Sequence, residues 1–214
     1  MSIGLICGSL NAPETSIVVL NRHGDKRLLP HLIPYVEQMR GLVLRGVTHV
    51  VALHTVGAIA QSLNVGDVVI PEDLIDYTHS RQEHVAGCVR HLEASGLFNA
   101  EMRQLIIQTL QCIGVPFVST GVMAVVQGPR LETPAEIRRL RNDGNTLVGM
   151  TAMPEAAIAK QMGIKYASLA LVVDMAAGLD DPALSTEFAM TQAQDEFKVI
   201  LPAFLEALKV LYES

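Results

Sequence analysis

The stretch Gln127-Gly128-Pro129-Arg130-Leu131-Glu132-Thr133 follows the apolar run 121–126, and its Gly-Pro pair ends a strand and re-aims the chain. Pro134 suits the first position of a helix, and Thr133 stands where an N-cap belongs. Gly149-Met150-Thr151 repeats the arrangement: a strand over 146–148, a tight turn, then a helix over 154–162. Two strand-to-helix turns at one sheet edge gather helix N-termini, backbone N–H groups and a hydroxyl around one crevice. Open α/β sheets bind anionic or nucleoside-like ligands in such crevices.

Further strand-like runs lie at 3–7, 16–20, 49–53, 67–70, 115–118 and 167–173. Most are unbroken apolar stretches rich in Val and Ile, the pattern of strands covered on both faces. Helical patterns fall at 32–45, 100–113, 135–141, 154–162 and 185–212. In the first of these, Ile33, Val36, Met39, Leu42 and Leu44 recur near the helical period, and the apolar face 32–44 offers surface for an interface. Alternating strands and helices predict one α/β domain over 1–214, with a mixed, largely parallel central sheet flanked by helices. Residues 78–97 are polar, with His79, Arg81, Glu83, His84, Arg90 and His91. They read equally as a surface loop or as a lid.

The 214 residues are 50% hydrophobic and 18% charged, enough for one well-buried core. A net charge of −6 argues against a nucleic-acid binder, which needs a basic face. Cys7, Cys88 and Cys112 are scattered, with no CxxC, and read as reduced thiols rather than a disulfide framework or a zinc site. No signal-peptide pattern opens the chain, and no apolar stretch approaches the roughly 20 residues of a membrane span. The expectation is a cytoplasmic protein that meets neither nucleic acid nor membrane.

Arg22-His23-Gly24 follows the run 16–20. Arg forks two donors onto phosphate oxygens and His adds a third, although the same residues also suit an exposed charged turn. His54-Thr55-Val56-Gly57 ends the run 49–53, and Asp174 ends the run 167–173. With 127–133 and 149–151, these segments resemble the purine nucleoside phosphorylase family, in the trimeric branch that includes methylthioadenosine and methylthioinosine phosphorylases. The resemblance runs from Arg22 to Gly178.

It implies phosphate-dependent cleavage of the N-glycosidic bond of a purine nucleoside, in purine salvage, by a homotrimer. Orthophosphate is then the co-substrate, and no cofactor or metal is involved. Ser9, Arg22, His23, His54, Thr55 and Thr151 would hold phosphate. Leu131, Met150, Met175 and Ala176 would line the nucleoside site, with Asp174 meeting N7 of the base as the catalytic group. Asp174 points toward a 6-aminopurine and the following Ala-Ala-Gly toward a 6-oxopurine, so base preference stays open. Glu155 would accept a ribose hydroxyl or cap its helix. The chain departs from the family at Cys7-Gly8-Ser9-Leu10, where two flanking glycines of the phosphate turn are replaced, and the segment before Arg22 is short. Those departures keep two alternatives in view, a nucleosidase that uses water and a non-catalytic nucleoside-binding protein.

Overall fold

The computed structural model describes residues 2–8, 15, 17–82, 84–85, 91–179 and 186–213. The described strands are β1 (Ser2–Cys7), β2 (Val18–Asn21), β3 (Val47–Ala58), β4 (Val68–Val69), β5 (Asp73–Asp76), β6 (Val122–Val125), β7 (Leu147–Gly149) and β8 (Lys165–Met175). The helices are α1 (Tyr35–Leu44), α2 (Ala100–Cys112), α3 (Pro134–Asn142), α4 (Ala152–Gln161) and α5 (Thr186–Glu213). One path through the sheet runs β2-β1-β3-β7-β6-β5, and β8 joins β3 to β4. Pairing is parallel except where β7 meets β3 and β4 meets β8.

Alternation along the central strands divides the core. Val50, Ala52 and Val56 of β3 and Tyr166, Ala170 and Val172 of β8 face one layer with Val36, Met39 and Leu42 of α1 and the apolar residues of α4. Val51, Leu53, Ala167, Leu169 and Leu171 face the other, against Ile106 and Leu110 of α2 and Phe197, Leu201 and Phe204 of α5. Two-sided burial is why these strands read as unbroken apolar runs. Part of the apolar face 32–44, expected to offer an interface, is spent on this core, while Leu32 and Val43 stay exposed. Its Val36, Met39 and Leu42 are buried, whereas Leu44 is 87% exposed.

Other departures have local causes. The strand expected at 115–118 makes one bridge, Val118 to Val69, because two-residue β4 has little more edge to pair. β5 escapes an apolar-run criterion because Asp73 and Asp76 bracket it; it is an edge strand paired with β6, where charge is tolerated and discourages further pairing. Helix α1 starts only at Tyr35, after a 3-10 turn at Pro30–Leu32 and Pro34. Thr133 caps α3 with a reciprocal capping box: its hydroxyl accepts from the Glu136 N–H at 3.2 Å, and Glu136 Oε2 accepts from the Thr133 N–H at 2.7 Å.

Candidate active site

Strand β3 carries β1 along its side as far as Ala52 and β7 only at Gly57 and Ala58. Between those partners the sheet opens, and a cavity of about 340 Å³ occupies the gap. Gly8, Arg22 and His23 line it from the ends of β1 and β2, and Thr55, Val56 and Gly57 from β3. Leu131 and Glu132 enter from the first strand-to-helix turn, Met150 and Thr151 from the second, and Asp174, Met175 and Ala176 from the end of β8. The volume lies within the range of small-molecule sites. Of the residues expected at the site, Ser9 lies outside the described residues, and all the others except His54 line this cavity.

Arg22 sits at its floor, 1% exposed. Its fork closes on Glu155, with Nε to Oε1 at 2.8 Å and Nη2 to Oε2 at 2.9 Å. Nη1 donates to the Leu53 carbonyl at 2.9 Å, just past the last β1–β3 pair. Nη2 also lies 3.2 Å from His54 Nε2. Since arginine only donates, Nε2 accepts, so the His54 proton sits on Nδ1 and is given to Ser168 Oγ at 2.9 Å. Burial, then the Arg22 charge, holds the His54 pKa well below the usual imidazole value. The Tyr166 hydroxyl donates to Glu155 Oε2 at 2.7 Å, and burial raises its pKa well above the ordinary tyrosine value.

Two expectations change here. His54 is 3% exposed and absent from the cavity wall; its ring shares the parity of Ala52 and is held between Arg22 and Ser168. Glu155 neither caps a helix nor reaches the cavity; it is the counter-ion of Arg22. The sequence carried a signal for this, a lone carboxylate within the apolar helix Ala-Met-Pro-Glu-Ala-Ala-Ile, which needs a buried partner. These bonds use four of the five guanidinium N–H groups. Nη1, which carries the fifth, lies 2.9 Å from where a Cβ on Gly8 would stand, on the cavity wall.

The rest of the wall divides by chemistry. The His23 Nδ1–H is held by the Leu28 carbonyl at 2.7 Å, and Nε2 faces the Gly8 side. Thr151 makes no capping bond to α4 through its side chain. At the opposite end Asp174 lies against β3 so closely that a Cβ on Gly57 would come within 3.0 Å of Oδ1. Glu132, which the sequence reading passed over between Leu131 and Thr133, has a buried Oε1 with no partner among the described residues. Burial raises its pKa, countered in part by its own backbone N–H. Cys7, one residue before Gly8, stays a thiol, its pKa raised to about 11 by burial.

A basic end, with Arg22 and His23, and an acidic end, with Asp174 and Glu132, thus share one cavity at the carboxyl ends of parallel strands. The sequence profile of the phosphorylase superfamily matches residues 5–206. The chain belongs to this superfamily. A probable S-methyl-5'-thioinosine phosphorylase from Xylella fastidiosa is 42% identical over 167 residues, covering 76% of this chain and 70% of that protein. A 6-oxopurine nucleoside phosphorylase from Pyrococcus furiosus is 32% identical, over 89% of this chain and 77% of that protein. Methylthioadenosine phosphorylase from Schistosoma mansoni, solved in complex with adenine, superposes with a TM-score of 0.86 over all of this chain and 92% of that one. At 22% identity that likeness establishes the phosphorylase fold alone.

Proposed function

We propose that the protein is a purine nucleoside phosphorylase, cleaving 5'-methylthioinosine or a closely related purine nucleoside with orthophosphate. The reading is carried by one observation: Arg22, His23 and Thr151 meet Asp174 and Glu132 across a single cavity. A phosphate oxygen forms the new bond to C1' as the C1'–N9 bond breaks. The electron pair of that bond passes to the purine, whose N7 takes a proton from Asp174. Positioning and electrostatics are sufficient for this chemistry, so no covalent nucleophile is required. The Arg22 Nη1 group, His23 and the Thr151 hydroxyl hold the phosphate; Met150 packs on the ribose, and Leu131, Met175 and Ala176 on the base. The unpartnered Glu132 oxygen offers the base a polar contact, and the names of the relatives favour a 6-oxopurine.

Orthophosphate serves as co-substrate without a metal. The active unit is a cytoplasmic homotrimer, one folded domain per chain, which light scattering of the purified protein tests. No described helix is long and apolar enough to cross a membrane. Product analysis with methylthioinosine, methylthioadenosine, inosine and adenosine, each with and without phosphate, tests the reaction. Sugar 1-phosphate formed only with phosphate is the expected result. Free sugar formed without phosphate would make the protein a nucleosidase instead.

A further inference from the structure

Arg81 lies in the polar segment after β5 and is absent from the cavity wall, yet its guanidinium reaches both turns that form the wall. Nη1 donates to the carbonyls of Met150 at 2.8 Å and Met153 at 2.6 Å. Nη2 donates to the carbonyl of Gln127 at 2.8 Å and, at a longer 3.4 Å, to that of Val126. All four acceptors are backbone oxygens.

Local chemistry leaves the Met150 and Gln127 oxygens outside the regular ladders. In a regular helix the Met150 carbonyl would accept from the N–H of residue 154, but that residue is Pro154, which has none. Met153 itself is extended, with φ −113° and ψ 138°, so α4 is interrupted there. Gln127 follows the end of β6 and precedes Gly128-Pro129, beyond the reach of a strand ladder. Backbone carbonyls in such a place need a donor from elsewhere in the fold. The planar Arg fork supplies four N–H groups in fixed relative geometry, which a lysine ammonium does not reproduce.

We propose that Arg81 is a positioning residue that fixes the register between the two active-site turns. The first turn carries Leu131 and Glu132 toward the base; the second carries Met150 and Thr151 toward ribose and phosphate. A reaction that needs phosphate and purine on one line depends on that register, whereas a ligand touching one turn alone does not.

The kinetic arm of the test rests on the phosphorolytic reading, so a second arm does without it. In Arg81→Lys and Arg81→Ala, phosphorolytic kcat should fall roughly 100-fold, as displacements near 1 Å in an active site do. Phosphate alone and hypoxanthine alone should still bind within about three-fold of wild type by calorimetry, since each leans on one turn. Millimolar guanidinium should restore turnover to Arg81→Ala. Independently of turnover, hydrogen exchange of the amides in 126–132 and 149–153 should quicken together in both variants and slow again on adding guanidinium. Wild-type turnover in both variants, or exchange that rises equally across the whole sheet, overturns the assignment. Should wild type itself fail to turn over, the functional reading falls, and exchange alone decides the role of Arg81.

Discussion

His54 shows how one side chain ties the site to the stability of the fold. Its Nε2 accepts from Arg22 and its Nδ1–H donates to Ser168, so the folded protein has room for the neutral ring only. In the unfolded chain the ring takes up a proton near the ordinary pKa of about 6.5, whereas the folded ring resists until well below it. Acidification below pH 6.5 therefore favours unfolding, by about 1.4 kcal/mol per pH unit for this one proton. Chemical denaturation from pH 7.5 to 5 should show that slope, and His54→Asn should reduce it by one proton's worth. Equal slopes in both proteins would mean that the folded ring protonates freely. Asp174 allows a test of the chemistry itself. Asp174→Asn keeps a hydrogen-bonding group beside Gly57 but loses the acid. It should move relative kcat/KM from 6-amino toward 6-oxo nucleosides by about ten- to a hundred-fold, the worth of one repartnered hydrogen bond. An unchanged ratio for methylthioadenosine over methylthioinosine would pass the selector role to Glu132.

Elements with a strong local signature were legible in the sequence, and those that depend on distant partners were not. The N-cap at Thr133, the strand-ending Gly128-Pro129 and the two-sided strands β3 and β8 all rest on neighbours in sequence or on simple periodicity. Edge strand β5 and the lone bridge at Val118 depend on what lies beside them. The same divide runs through the site. Arg22, Thr151 and Asp174 stand at strand or helix ends, where position in sequence foretells a cavity. The Glu155 clasp spans 133 residues and the Arg81 bonds span 45 to 72, and neither carries a local pattern. Gly128 illustrates a close approach set by tertiary structure: its φ is +61°, and an added Cβ would stand 2.6 Å from Met150 Sδ. Gly128→Ala should destabilise the fold by about 1 kcal/mol or more through the left-handed backbone. It should also push Met150 into the cavity, raising the nucleoside KM roughly ten-fold while phosphate KM stays near wild type, the pattern of a lost ground-state contact. Equal rises in both KM values would indicate a collapse of the whole pocket.

At the scale of the molecule, the residue proposed to grip phosphate is also a structural member, since Arg22 joins the end of β2 to β3 and α4. Its charge and that of Glu155 are both buried, 1% and 2% exposed at the side chain. Pairs of this kind add little net stability over a neutral replacement, yet breaking one leaves an uncompensated buried charge worth about 3–5 kcal/mol. A double-mutant cycle separates the two roles. Arg22→Met alone strands the Glu155 carboxylate, and Glu155→Gln alone strands the guanidinium, so each should lower the unfolding free energy by about that amount. The combined variant removes both charges and keeps an acceptor for the Tyr166 hydroxyl, so it should recover most of the loss. Phosphate reports the function in the same experiment. A ligand at 100 times its Kd stabilises the folded state by about 2.7 kcal/mol, and this increment should be present in wild type and lost in every variant lacking Arg22. In Glu155→Gln the increment should persist and grow, because the bound anion replaces the missing counter-charge. Urea unfolding of the four proteins with and without phosphate measures all of these terms. Additive losses in the double variant would show that Arg22 and Glu155 stabilise the fold independently, and an undiminished phosphate increment in Arg22→Met would move the anion site away from Arg22.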